Sequence, residues 1–303
     1  MVLYKILMRE LEFNYLNQEL FIRYLYLIYQ TMRPSKRFVR LIEKYFPKRF
    51  QLAKLTHYPI FRGIIKKMLF ENNDVTYLTK DNIVEITLNK KIDSVESIVV
   101  PSKVVEHFID KASYRFIMDF CLCREAMQCK DYPINLGCIF MGDAAKKIPK
   151  EFGRPATKEE ALTHLEKCRK AGLVHLIGRD KLDETWLGVG SKIPLITVCN
   201  CCNCCCLWKM LPYLDSSLSS SVRSMPGVKI IVNENCTGCG ACTENVCFIE
   251  NIKLKNGVAE IGDNCLACGR CAEICPNNAI ELIIEDSDFI KKTIERVSKT
   301  VSL

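Results

Sequence analysis

The chain has no apolar run near the roughly 20 residues that a membrane-spanning helix needs. It has only four histidines, His57, His107, His164 and His175, and none stands at ligand spacing from another. His175 can approach the cysteines that begin at Cys199, but a core or surface position is the expectation for it. There is no Gly-rich dinucleotide fingerprint and no phosphate loop. Gly188-Val189-Gly190-Ser191 is too short to count, so flavin or nicotinamide binding has no support. No secretory pattern is found either. Lys5, Arg9, Glu10 and Glu12 interrupt any apolar stretch, and no small-residue cleavage site follows. The chain is therefore expected in a reducing cytoplasm. Its 19 cysteines read there as metal ligands rather than as disulfides.

What is present is a length of 303 residues, enough for two or three domains, and 49% apolar residues, enough for a real core. Charge is spread unevenly. Residues 1–80 carry 15 basic and 6 acidic side chains, whereas residues 226–303 carry 8 and 11. Between Arg33 and Lys67 only Glu43 opposes the basic residues. A field of this kind is either a solvated helical face or a docking surface for an acidic redox partner. Leu11, Tyr15, Phe21 and Leu25 can line a helix face. The aromatic stretch Tyr24–Tyr29 reads as core or partner contact, with a membrane interface as the alternative.

The cysteines fall into four runs. The last is Cys265-Leu-Ala-Cys268-Gly-Arg-Cys271-Ala-Glu-Ile-Cys275-Pro276, which fits C-x2-C-x2-C-x3-C-P at every position. Cys236-Thr-Gly-Cys239-Gly-Ala-Cys242-Thr-Glu-Asn-Val-Cys247 repeats it 29 residues earlier, with one extra residue before its last cysteine and Phe248 in place of proline. Three thiolates spaced two residues apart wrap one face of an iron–sulfur cube, and the fourth reaches a neighbouring one. Paired C-x2-C spacings also suit zinc, but zinc has no need of a third evenly spaced cysteine. Asn256-Gly257, between Ile252–Leu254 and Val258–Ile261, predicts a hairpin. Ala279–Ile284 reads as a closing strand that pairs with Ile231-Val232.

Residues 226–285 resemble the two-cluster [4Fe-4S] ferredoxins. The resemblance implies two [4Fe-4S] clusters. Cys236, Cys239, Cys242 and Cys275 would bind the first, and Cys265, Cys268, Cys271 and Cys247 the second.

Ten more cysteines sit in two patches, Cys121 to Cys138 and Cys199 to Cys206, and Cys168 stands alone as an expected core residue. The two patches together can supply a third metal site, with Cys121, Cys123, Cys129, Cys138, Cys201, Cys202 and Cys205 as its expected ligands. A third iron–sulfur cluster, a zinc site and a reactive thiol or disulfide all remain open for it. The whole, a cysteine-rich domain fused to a ferredoxin, is similar to heterodisulfide-reductase-type subunits of anaerobes and related iron–sulfur proteins. Their catalytic cysteine motif is absent, so no catalytic residue is assigned.

The expected fold class is α+β. A mainly helical cysteine-rich domain with a small sheet precedes the ferredoxin-like domain. The expected layout is a basic helical segment at 1–80, the cysteine-rich domain at 81–211, a linker at 212–225, the ferredoxin module at 226–285 and a C-terminal helix at 286–303. Within it, Ile83–Leu88 and Val95–Val100 read as strands. A helix from Pro101-Ser102 is predicted to run to Phe120, and Thr157-Lys-Glu-Glu160 opens another as a capping box, ended by Gly172. The expected function is low-potential electron transfer between redox partners, in an anaerobic host because oxygen attacks such clusters. The alternatives are reduction of a disulfide or other small acceptor at the cysteine-rich domain, and a redox-responsive regulator. Nucleic acid is not an expected partner, because the basic residues are not interleaved with a recognition motif. The expected location is cytoplasmic, with attachment to a membrane surface as a variant.

Overall fold

The computed structural model describes residues 34–91, 100–190 and 192–301. The stretch 11–29 and the strand expected at Val95–Val100, except Val100 itself, lie outside the described residues. Helices α1 (Lys36–Tyr45), α2 (Arg49–Leu55) and α3 (Pro59–Ile65) come first. Ser35 caps α1 by accepting from the Phe38 N–H at 3.4 Å, and Pro59 opens α3 where its missing N–H costs nothing. Then follow β1 (Asp74–Tyr77), α4 (Asp81–Lys91), α5 (Ser102–Lys111), β2 (Arg115–Met118), α6 (Leu122–Ala126), β3 (Ile139–Met141) and β4 (Gly153–Pro155). The middle of the chain forms α7 (Lys158–Lys170), β5 (Val174–Arg179), α8 (Lys181–Trp186), β6 (Ile196–Cys201), α9 (Ser216–Ser219) and β7 (Val222–Ser224). The last part contains β8 (Val228–Val232), β9 (Ile252–Lys255), β10 (Val258–Ile261), α10 (Arg270–Ile274), β11 (Ile280–Ile284) and α11 (Phe289–Ser298).

The chain is α+β, but the sheet is not small. Seven strands form one sheet in the order β4-β2-β3-β6-β5-β1-β7, antiparallel except where β7 joins β1 in parallel. Alternation gives the sheet two apolar faces. Tyr77, Val174, Leu176 and Cys201 share one face with α2, α3 and Trp208. Ile117, Ile139, Ile177 and Val198 share the other with α5 and α7. Phe108 and Ile109 of α5 are fully buried there, each worth about 1.5–3 kcal/mol of removal from water.

Two local expectations are corrected. The segment Ile83–Leu88 is helical, not a strand. Ile83 and Val84 are both buried although adjacent, while Ile86 is 52% exposed, a pattern that a half-buried strand does not produce. The helix from Ser102 ends at Lys111, and the stretch to Phe120 contains β2 instead. Phe116 and Ile117 are both buried but in different cores, on opposite faces of the sheet, so their apolar character comes from a period of two. The other local readings match. Thr157 and Glu160 form the reciprocal capping box at 3.2 and 2.8 Å, and Gly172 follows α7 at φ +75°. Asn256 and Gly257 turn β9 into β10 with φ of +52° and +79°, as a type I′ turn requires. β11 pairs antiparallel with β8, Ile280 opposite Val232.

Residues 212–225, read above as a linker, are structural. Leu214, Leu218 and Val222 are buried in the core shared with α2 and α3, and β7 completes the sheet edge. Their serines mark short caps and turns: Asp215 caps α9 and also pairs with Arg62 of α3 at 2.7 Å. Helix α11 buries Phe289, Thr293 and Val297 and pairs Arg296 with Asp74 of β1 at 2.5 Å. It thereby fastens the end of the chain to the seven-stranded sheet.

Candidate metal centres

In the C-terminal module, backbone conformation aims amides at sulfur. The N–H groups of Ala259, Asn251, Ala267 and Ala279 lie 3.3, 3.3, 3.4 and 3.2 Å from the Sγ atoms of Cys236, Cys247, Cys265 and Cys275. Such N–H···S bonds stabilise thiolate over thiol, which is what a metal ligand requires. The turns that permit them use left-handed residues: Gly238 at φ +67°, Gly240 at +78°, Ala267 at +49° and Gly269 at +86°. Cys247, Cys265, Cys268 and Cys271 line a single cavity walled by Ile230, Phe248 and Leu266. Three of these cysteines come from the last run and one from the run before it. Around Cys242 the neighbouring thiols are Cys236, Cys275 and Cys239, so the crossing is reciprocal. Burial pushes the Cys265 thiol up to about 11, and Cys271 is raised for the same reason, so these thiols do not ionise by themselves at neutral pH. Bound cationic iron is what would hold them as thiolates.

The ten patch cysteines divide into two groups. Six of them, Cys121, Cys123, Cys138, Cys199, Cys201 and Cys206, form a chain of contacts beneath α1 and α2. Cys138 Sγ lies 3.6 Å from Cys199 Sγ. Cys201 bonds to the thiols of both Cys199 and Cys206, and Cys121 to that of Cys123. Tyr77 Oη ends the chain 3.3 Å from Cys206 Sγ. The other four, Cys129, Cys202, Cys204 and Cys205, have their Sγ atoms within 4.8 Å of one another. The seven ligands expected for one third site are thus shared between two groups, and Cys199, Cys204 and Cys206 join them. The strand β6 explains the division. Cys199 and Cys201 point to one face of the sheet, and the chain then leaves the strand in a tight turn that carries Cys202, Cys204 and Cys205 elsewhere.

Three arginines stand among these thiols. Arg124 is fully buried and donates to three main-chain carbonyls: Pro133 at 2.9 Å, Asn200 at 2.7 Å and Leu136. Burial acts to lower its pKa, but the sulfurs of Cys121, Cys202, Cys138 and Cys201 outweigh that and leave it raised. Arg49, 6% exposed, lies over the rings of Phe46 and Phe50, and the sulfurs that act on its charge are those of Cys123, Cys206 and Cys205. Its Nε is buried without a hydrogen-bond partner. A buried guanidinium without a carboxylate is costly unless an anion faces it. Both sites therefore fit thiolates around a metal or cluster better than neutral thiols. Arg270 sits between Cys268 and Cys201 and donates from Nη2 to the Cys201 carbonyl at 2.6 Å.

His175 is buried opposite Asn200 on β6, with Nδ1 2.8 Å from Asn200 Oδ1. It faces away from Cys199 and Cys201, as the core expectation had it. Cys168 is fully buried beside Leu173, Cys202 and Cys205, and burial raises its thiol to about 12. The arginines escaped the sequence reading, although Cys123-Arg124 and Gly269-Arg270-Cys271 place two of them inside the cysteine motifs. Nothing in the sequence marks Tyr77.

The fold gathers these thiols into groups of the kind that bind metal as thiolates. A family model described as a 4Fe-4S binding domain matches residues 261–281, the span that holds Cys265, Cys268, Cys271 and Cys275. The chain therefore carries a [4Fe-4S]-binding module. No curated protein and no solved structure matches the chain. Among the described residues no helix is long and apolar enough to cross a membrane.

Proposed function

We propose that the chain is an electron-transfer protein with two [4Fe-4S] clusters in its C-terminal module and a further iron–sulfur centre among the six thiols under α1 and α2. Cys236, Cys239, Cys242 and Cys275 would hold one cluster, and Cys247, Cys265, Cys268 and Cys271 the other. When bound, such clusters take up and release single electrons without acid–base chemistry. The observation that carries the reading is adjacency. The cavity lined by Cys247, Cys265, Cys268 and Cys271 abuts the six-thiol group. Cys247, Cys268, Phe248 and Leu266 pack in the same core as Cys199, Cys201 and Cys206.

The residues between these sites do three things. Phe248 stacks on Tyr77 at 4.9 Å between ring centroids and keeps water out of the contact. Arg270 supplies positive charge to both sides. Main-chain amides supply N–H···S bonds that tune the sulfurs. At the far end of the module Cys239 is exposed, which suits entry or exit of electrons there. The exposed Lys36, Arg37, Arg40, Lys44 and Lys48 lie over the opposite end, next to α6 and the six thiols, and form a surface for an acidic redox partner. Arg49 and Arg62 of the same basic segment are used internally.

The test is iron and acid-labile sulfide per chain after purification without oxygen. About twelve of each supports all three centres. About eight of each removes the centre among the six thiols from the proposal, and four or fewer sinks the two-cluster module.

A further inference from the structure

Cys129, Cys202, Cys204 and Cys205 stand apart from the ferredoxin runs and from the six-thiol group. Their four Sγ atoms all lie within 4.8 Å of one another, with Cys129–Cys204 and Cys204–Cys205 both at 3.5 Å. Four thiolates on one ion, with metal–sulfur bonds of about 2.3 Å, form a tetrahedron with edges of about 3.8 Å. Four thiolates on an iron–sulfur cube each sit on a different iron, outside the cube, and are spread more widely. The spacing seen here is that of a single ion.

The backbone agrees. Cys202-Asn203-Cys204-Cys205 contains the C-x2-C spacing of a metal knuckle, and the Cys205 N–H lies 3.3 Å from Cys202 Sγ across that turn. A second turn faces it: the N–H groups of Asp131 and Tyr132 point back at Cys129 Sγ. Cys202 and Cys205 are buried while Cys129 and Cys204 are half-buried, so the group is both shielded and open to an entering ion. The buried Arg124 beside Cys202 offsets part of the charge of four thiolates.

We propose that Cys129, Cys202, Cys204 and Cys205 bind one tetrahedral thiolate-seeking ion, zinc or iron, separate from every iron–sulfur cluster of the chain. All four protein ligands are present, so the site is closed in the manner of structural zinc and leaves no open position. Binding would displace the thiol protons and staple the loop after α6 to the turn after β6. That turn also seats the C-terminal module: Asn203 Nδ2 donates to the Asn245 carbonyl at 2.5 Å. Asn245, at φ +56°, lies in the four-residue stretch between Cys242 and Cys247, where the ferredoxin pattern has three. The longer stretch of that run thus touches the knuckle.

The experiment measures zinc, iron and acid-labile sulfide per chain in the full protein and in Cys129→Ser and Cys204→Ser, all prepared without oxygen. Loss of one equivalent of zinc, or of one iron, with sulfide unchanged in both variants is the expected result. Zinc and iron are told apart by which metal falls. Unchanged sulfide also shows that the variants are folded around their clusters. Loss of sulfide together with several irons would assign these cysteines to a cluster and overturn the proposal, as would loss of no metal at all. Should both variants fail to fold, cobalt supplied to the wild-type chain replaces them. Intense thiolate-to-cobalt absorption with tetrahedral visible bands, bleached by excess zinc, is expected. Its absence from chains whose four thiols are free to alkylate overturns the site.

Discussion

The Arg270 guanidinium, from the second ferredoxin run, donates to the main-chain carbonyl of Cys201 at 2.6 Å, on the central strand β6. One side chain, 7% exposed, thus joins the last cysteine run to the cysteine-rich sheet. The sulfurs of Cys268 and Cys201 face its charge from both sides, and its side chain hydrogen-bonds that of Tyr132. Arg270→Gln keeps a neutral N–H donor on a shorter side chain and removes the charge. The expected result is full iron content with the potential of the neighbouring cluster shifted tens of millivolts more negative, since the added electron loses a nearby cation. A redox titration followed by electron paramagnetic resonance measures this, and an unchanged potential would refute the electrostatic role.

The crossing of ligands between runs makes a second prediction. Cys247 lines the cavity of Cys265, Cys268 and Cys271, whereas Cys275 neighbours Cys242. Cys247→Ser is expected to lower iron by about four atoms and to remove the signal that responds to Arg270→Gln. Cys275→Ser is expected to remove the other cluster and leave that signal in place. The reverse outcome would mean that each run closes its own cube.

Arg124 supports a third. It is fully buried, with three carbonyl acceptors and only sulfurs for counter-charge. Arg124→Met removes the charge and orphans the carbonyls of Pro133, Asn200 and Leu136. A loss of about 3–5 kcal/mol is expected, as for breaking a buried charged network. Arg124→Lys should recover little, because one ammonium cannot reach three diverging acceptors. Urea unfolding under anaerobic conditions reads both, and a cost below about 1 kcal/mol for either variant would show that the thiols are not paired with this cation.

These predictions use features of unequal visibility in the sequence. The hairpin at Asn256-Gly257, the closing strand Ala279–Ile284 and the capping box at Thr157 are local, set by turn chemistry and nearest neighbours, and all three were legible. The seven-stranded sheet was not. Its strands are three to six residues long, and its outer pair, β1 and β7, lie almost 150 positions apart in the chain. Apolar residues buried on both faces, such as Phe116 and Ile117, imitate a helix period over so short a run. The serine-rich composition of 216–221 resembled a linker because its buried anchors, Leu214, Leu218 and Val222, are isolated in sequence. For the cysteines, spacing identified the C-terminal module, whose geometry is carried by local turns. The division of the other ten depends on where β6 ends, which is a tertiary fact. Buried cations such as Arg49 and Arg270 counted as basic residues in the sequence, and only packing reveals their sulfur partners.

The first cysteine run is held open by a contact between two glycines. Gly238 adopts φ +67°, and a Cβ built there would lie 2.0 Å from the carbonyl oxygen of Gly257, at the tip of the β9–β10 hairpin. The hairpin matters because the Ala259 N–H points at Cys236 Sγ from 3.3 Å, and the Gly238 N–H approaches the same sulfur. Gly238→Ala must therefore push the hairpin away and weaken both N–H···S bonds, in addition to the cost of about 1 kcal/mol for a left-handed alanine. The expected result is loss of about four irons from the cluster bound by Cys236, with the cluster at Cys265 intact. Gly240→Ala is the matched control. Its φ of +78° imposes similar backbone strain, but a Cβ there meets only Leu254 Cδ1 at 3.6 Å and Thr243 Oγ1 at 3.8 Å. It should keep its iron and lose only about 1 kcal/mol of stability. If Gly238→Ala retained iron as well as Gly240→Ala does, the hairpin would have no part in seating the first run.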